Sequence, residues 1–258
     1  MKAGKVRSAI IVIKSVLLTL WISIETIVDV YRGTYSRERI DRRLRWWSSV
    51  LLKFARISLT ATNVEGVRPT PGKPCILMSN HSSLYDVPVL FAALPGSIRM
   101  LTKNELFTVP VWGRGLSAGE FIPIDRNDRR KALKDLEEAR RKMESGITLW
   151  VAPEGTRSRT GVLGPFKKGG FMLALRSGAT VIPVGIRGAF DVLPAKTVDF
   201  HLGQNIEVRV GEPIDSTQFK KTETERLMQE VERQIRELAA LPGDDPQPKR
   251  AAPVPPGR

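Results

Sequence analysis

The 258-residue chain carries a formal net charge of +14, 41% hydrophobic residues and one cysteine, Cys75. That apolar fraction supports a packed core and excludes wholesale disorder, and a lone cysteine excludes a disulfide framework. With only two histidines beside it, no His/Cys zinc site is expected, and the charge calls for an anionic partner: nucleic acid, an acidic membrane surface or a phosphorylated small molecule.

The charge is concentrated at the start. Residues 1–56 hold twelve Lys/Arg against four Asp/Glu, and three of the five tryptophans (Trp21, Trp46, Trp47). Ala9 to Val30 is apolar but interrupted by Lys14, Glu25 and Asp29, so the longest uncharged run, Ser15–Ile24, is ten residues. A spanning helix needs about 20. The interruptions, and the lack of a small-x-small site after Trp21, also argue against a cleaved leader. On a helix Lys14 and Glu25 fall within about 20° of each other, so the polar residues share one stripe. After Arg32-Gly33-Thr34, the residues Ile40, Leu44, Trp47, Leu51 and Phe54 step by 4, 3, 4 and 3, marking one apolar helix face. Arg37, Arg39, Arg42, Arg43 and Arg45 crowd its start. Two such helices read as a membrane-surface hairpin or as a pair packed on the protein's own core, with the membrane reading preferred.

From residue 74 short apolar runs alternate with helical periods. The expected strands are Cys75–Ser79, Ile98–Thr102, Glu120–Ile124, Ile147–Val151, Val181–Ile186 and Ile206–Val210. Helices are expected near Val87–Ala93, Arg129–Ser145 and Gly169–Ser177, with a last one opened by a Thr222-x-x-Glu225 capping box and running to Leu241. This alternation predicts an α/β domain: a largely parallel or mixed central sheet flanked by helices. The tail from Pro242 holds six prolines and is expected to be disordered.

Three segments at strand ends carry candidate chemistry. In Asn80-His81-Ser82-Ser83-Leu84-Tyr85-Asp86 a spacing of five separates the His and Asp on a helix, but a strand-to-helix turn can fold Asp86 back onto the imidazole. Asp86 would then fix the tautomer of His81 as general base; alternatively Asp86 caps the helix and His81 is a loop residue. In Pro153-Glu154-Gly155-Thr156-Arg157-Ser158 the small residues expose backbone N–H groups and Arg157 offers a fork for phosphate, unless this is a plain turn with a solvated Arg. In Gly119–Arg126 (GEFIPIDR), Arg126 is a second candidate phosphate ligand or half of a surface pair, and Lys103 a further cation at a strand end. Two decoys fail. Gly115-Leu116-Ser117-Ala118-Gly119 has the nucleophile-elbow letters with helix and strand in the wrong order, and Lys167-Lys168-Gly169-Gly170 does not fit a P-loop.

His81/Asp86, GEFIPIDR, the PEGTRS loop and Val181-Ile182-Pro183-Val184 occur in the order and spacing of the glycerolipid acyltransferase family, and the chain resembles its bacterial lysophosphatidate acyltransferases over roughly residues 60–215. Val151-Ala152 stand where that family more usually has an aromatic residue before Pro-Glu-Gly. The resemblance implies transfer of a fatty acyl group from acyl carrier protein or acyl-CoA, as co-substrate and without a cofactor, to the sn-2 hydroxyl of lysophosphatidate. His81 would be the base and Asp86 its orienting partner. Glu154, Gly155, Thr156, Arg157, Arg126 and Lys103 would bind the acceptor, and no metal is implied.

The implied organisation is a hairpin over 1–58 binding anionic lipid at the cytoplasmic face of the cell membrane, an acyltransferase domain over 59–241, and the tail over 242–258. Deleting residues 1–56 is expected to abolish membrane binding and leave the remainder folded. The alternatives are another lysophospholipid acceptor, a non-catalytic basic membrane-binding protein and, least favoured, a nucleic-acid binder; the last would place basic and aromatic residues on the folded domain rather than beside an apolar leader.

Overall fold

The computed structural model describes residues 1–67, 72–124 and 129–240, with residues 129–134 described as backbone only. Two helices open it, α1 (Lys5–Tyr31) and α2 (Arg37–Phe54). Then come β1 (Ser58–Thr62), β2 (Cys75–Ser79), α3 (Asp86–Ala93), β3 (Ser97–Lys103), α4 (Trp112–Ala118), β4 (Ile122–Ile124) and α5 (Arg129–Glu144). The chain continues through β5 (Ile147–Val151), α6 (Lys168–Ser177), β6 (Thr180–Arg187), α7 (Ala189–Val192), β7 (Asn205–Val210), β8 (Ile214–Asp215) and α8 (Thr224–Ala239).

The strands form one mixed sheet in the order β1-β7-β6-β2-β5-β3-β4, with β8 also on β6. β6, β2, β5, β3 and β4 are mutually parallel, while β7 runs antiparallel to β6. The central strands are buried on both faces, as runs of β-branched and aliphatic residues require. Leu77, Trp150 and Ile182 face α2 and α3; Ile76, Met78 and Leu149 face α5, α6 and α8. β2 and β5 therefore lie side by side in the middle of the sheet, and their carboxyl ends place the His81 and Glu154 loops next to each other.

Two local expectations change, and the rejection of the elbow holds. The strand expected from Glu120 begins at Ile122, because Glu120 takes the left-handed φ of 64°. The capping box at the last helix does not form: α8 opens with Glu223 at its cap, and Glu225 pairs with Lys168 at 2.7 Å instead. Ser117 lies inside α4, its hydroxyl donating to Gly113 O at 3.2 Å, so the elbow letters describe a helix. The Pro-rich tail, and Asp125 and Arg126, lie outside the described residues.

The hairpin divides its two faces between different surroundings. The Ile40, Leu44 and Leu51 face of α2 is buried against α3, and Trp47 meets Phe91 edge-on at 6.5 Å. This is the core-packed alternative, and it corrects the membrane reading for α2. Part of the polar side of α1 faces α2, while Lys14 and Glu25 stay exposed. Asp29 takes Arg39 at 2.9 Å and Arg43 at 2.7 Å, Thr19 Oγ1 accepts from Trp47 Nε1 at 3.1 Å, and Lys14 sits 5.8 Å from the Phe54 ring. One outer row of α1 is apolar: Val6, Ile10, Ile13, Leu17, Trp21 and Ile24 are all exposed, at helical spacing. With a mean hydropathy of 2.0 over eighteen residues, α1 is long and apolar enough to cross a membrane by length and composition. Here it lies along the domain, close enough to α4 that a β-carbon at Gly115 would sit 2.5 Å from Ser23 Cβ.

Charged contacts tie the hairpin to the sheet. Arg37 makes a two-pronged bond to Glu120, both at 2.8 Å, and donates to Ser145 O at 2.5 Å. Arg99 is wholly buried and bonds Asp41 at 2.8 Å and Gly119 O at 2.5 Å. The boundary after residue 58 thus cuts a packed, ion-paired interface.

Candidate active site

His81 is the second residue after β2, and its Nδ1, backbone N–H and carbonyl are all held. Asp86 Oδ2 lies 2.7 Å from His81 Nδ1 and also accepts the backbone N–H groups of Ser82 (2.8 Å) and Ser83 (2.9 Å). Asp86 is the first residue of α3, with Tyr85 at the cap, and its carboxylate points back at the loop rather than capping the helix. The chain does fold back as the short turn allows. A carboxylate that accepts from Nδ1–H leaves the lone pair on Nε2.

The backbone of His81 is gripped by the neighbouring loop. Its N–H donates to Glu154 Oε1 at 2.9 Å, and its carbonyl accepts the N–H of Ser158 at 2.7 Å. The other oxygen of Glu154 accepts Gly164 N–H at 2.8 Å, so both oxygens of this buried carboxylate serve backbone groups. Burial pushes the Glu154 carboxyl above its usual range, against the pull of the Gly164 and His81 N–H groups.

Below the loop, Asn80 extends the β2–β6 ladder by one rung through its side chain. Nδ2 donates to Ile186 O and Oδ1 accepts Ile186 N–H, each at 2.8 Å. Trp150, on β5, donates Nε1 to Ser79 Oγ at 2.9 Å and meets the His81 ring edge-on at 5.6 Å. Asn80 and Ser158 fall inside the segments read as candidates from sequence, whereas Ser79, Trp150 and Gly164 do not. Trp150 had one visible signal: it is the aromatic residue just upstream of Pro-Glu-Gly, two positions before Ala152.

The expected acceptor ligands are placed unequally. Arg157 is half-buried between Glu154 and Ser158, and no carboxylate pairs with it among the described residues. Gly155 takes φ 70°, and Thr156 is exposed. Lys103 is exposed and paired with Glu105 at 2.9 Å, and Arg126 lies outside the described residues. Beside the loop, a cavity of about 510 Å³ opens between α1, α2, α3 and α4, lined by Leu84 and Tyr85 of the His81 turn and by Leu20, Trp47, Phe91 and Phe121. Its size and apolar walls are those of a ligand site.

Residues 60–187 match the family model described as Acyltransferase. The chain carries an acyltransferase-family domain. A chloroplastic 1-acyl-sn-glycerol-3-phosphate acyltransferase of Brassica napus is 32% identical over 155 residues, covering 59% of this chain and 45% of that protein. One from Pseudomonas aeruginosa is 34% identical over 122 residues, covering 47% of each. The solved 1-acyl-sn-glycerophosphate acyltransferase of Thermotoga maritima shares the fold, with a TM-score of 0.67 at 24% identity, covering 89% of this chain and 98% of that one. The chain spans about half the length of the curated relatives it matches. Within the acyltransferase domain, the matched segment contains His81, Asp86 and the whole Glu154–Ser158 loop.

Proposed function

We propose that this chain transfers a fatty acyl group from an acyl thioester to the sn-2 hydroxyl of lysophosphatidate, giving phosphatidate at a membrane surface. The observation that carries this reading is the 2.7 Å His81–Asp86 couple beside the apolar cavity. Nε2 of His81 takes the proton of the acceptor hydroxyl, and the oxygen forms a bond to the thioester carbonyl carbon. The tetrahedral adduct then collapses, the C–S bond breaks, and the departing thiolate takes the proton from the imidazolium. No acyl-enzyme is needed. The acyl chain lies in the cavity. Arg157 holds the acceptor phosphate from a loop whose Gly155 and Thr156 leave the approach open, with Arg126 and Lys103 as further cations.

The donor is acyl carrier protein or acyl-CoA, and no other cofactor takes part. The outward apolar face of α1, with Trp21 exposed on it, supports peripheral seating on the anionic cytoplasmic leaflet.

The test is transfer of labelled palmitoyl from its thioesters to lysophosphatidate in detergent micelles, comparing wild type with His81→Ala. The reading requires activity that vanishes in the variant while its melting temperature holds. Equal activity in both proteins would sink the mechanism, and a wild type that acylates only head-grouped lysolipids would replace the acceptor.

A further inference from the structure

Among the described residues, Arg157 by itself undercharges the acceptor. A phosphomonoester carries about −1.5 to −2 at pH 7, so one guanidinium leaves close to a full charge uncompensated. Lys103 is occupied by Glu105. A second free cation stands on the other side of the Pro-Glu-Gly turn. Lys167 is fixed there by its backbone, whose N–H donates to Pro153 O at 2.8 Å. Its side chain then runs across Gly155: a β-carbon at that glycine would lie 2.9 Å from Lys167 Cδ and 3.1 Å from its Nζ. The glycine serves the turn twice, through its φ of 70° and through the space it leaves for this lysine.

Two features of Lys167 run against ordinary helix chemistry. It occupies the cap of α6, a ten-residue helix with no side-chain cap and no acidic residue in its first turn. Cations are unfavourable at that end, where the backbone N–H groups already present positive charge. Its neighbour Lys168 is neutralised by Glu225 at 2.7 Å, yet no carboxylate pairs with Lys167 among the described residues. A local rule broken without compensation marks a place where something else supplies the missing charge.

We propose that Lys167 is a second ligand of the acceptor phosphate, acting with Arg157 and selecting a phosphomonoester over a phosphodiester. The proposal rests on the reading of this chain as a lysophosphatidate acyltransferase. Its chemistry is specific: the second negative charge, which lysophosphatidate has and a head-grouped lysolipid lacks, is the one Lys167 answers.

Steady-state kinetics on the full chain in mixed micelles test it, with lysophosphatidate and lysophosphatidylglycerol as acceptors. Lys167→Gln is expected to raise KM for lysophosphatidate about tenfold while kcat stays within about twofold, as for loss of one hydrogen bond to a charged group. Lys167→Arg restores KM, and Lys168→Gln, which breaks only the Glu225 pair, leaves it unchanged. Any activity on the diester is insensitive to Lys167→Gln. An active wild type with an unchanged KM in Lys167→Gln overturns the proposal alone; so does an equal rise in Lys168→Gln. A wild type silent with lysophosphatidate removes the functional reading, and the proposal with it.

Discussion

The carboxylate of Glu154 accepts the backbone N–H of His81 at 2.9 Å. The candidate base is therefore held by the loop that carries Arg157, and any displacement of that loop is felt at the imidazole. Glu154→Gln keeps the shape but turns one acceptor oxygen into a donor, which must then face either His81 N–H or Gly164 N–H. We expect kcat to fall by roughly tenfold to a hundredfold, on the scale of one unsatisfied buried donor. KM for lysophosphatidate should change less than twofold, by rough allowance for a group that binds no substrate. A rise in KM with unchanged kcat would return Glu154 to the acceptor site.

The same residue sets a pH dependence of stability. Because burial raises its carboxyl in the folded state, the folded protein holds that proton to higher pH than the unfolded chain does. The contribution of Glu154 to stability is thus most favourable in acid and declines as pH rises from the unfolded value through the raised folded one. Urea melts of wild type and Glu154→Gln from about pH 4 to about pH 8 should show the variant gaining on wild type as pH increases. Parallel curves would contradict the assignment.

Trp150 links β5 to the floor of the His81 turn. Trp150→Phe keeps an aromatic edge near His81 but removes the bond to Ser79 Oγ. The cost should be about 1–3 kcal/mol in stability, with a loss of kcat that Trp150→Ala deepens. Calorimetry and turnover measured together check this. A Phe variant with wild-type values in both would reduce Trp150 to ordinary core.

The hairpin interface makes truncation a sharp test. Removing residues 1–56 strips the apolar face of α2 from α3, takes Asp41 from the buried Arg99 and takes Arg37 from Glu120. An orphaned buried charge costs about 3–5 kcal/mol, so this form should aggregate rather than fold. Removing only residues 1–34 leaves those contacts intact and should preserve a cooperative melt. Arg37→Ala, breaking a partly exposed pair, should cost about 2 kcal/mol. A 57–258 fragment with a cooperative melt would overturn the description of this interface.

Strand positions were legible where burial on both faces demands continuous apolar runs: β2 and β5 fall where Cys75–Ser79 and Ile147–Val151 predicted. β1, Ser-Leu-Thr-Ala-Thr, escaped notice because an exposed edge strand needs no such run. The periodicity of α2 identified its apolar face correctly but not what covers it, since a core and a bilayer ask the same thing of a helix. The His81–Asp86 meeting was readable because it is local. Glu154's bonds were not: they join backbone groups of His81 and Gly164, whose side chains give no sign of them.

The outward face of α1 has a practical consequence for handling the protein. A row from Val6 to Ile24 that is apolar, regularly spaced and uncovered will bind whatever hydrocarbon is offered. In detergent-free buffer that partner is the same row on another molecule. Self-association measured there would rise with salt, as the basic residues stop repelling one another, and disappear above the critical micelle concentration of an added detergent. Such oligomers would report an unmet solvent preference of one helix, and their stoichiometry would carry no information about how the protein works.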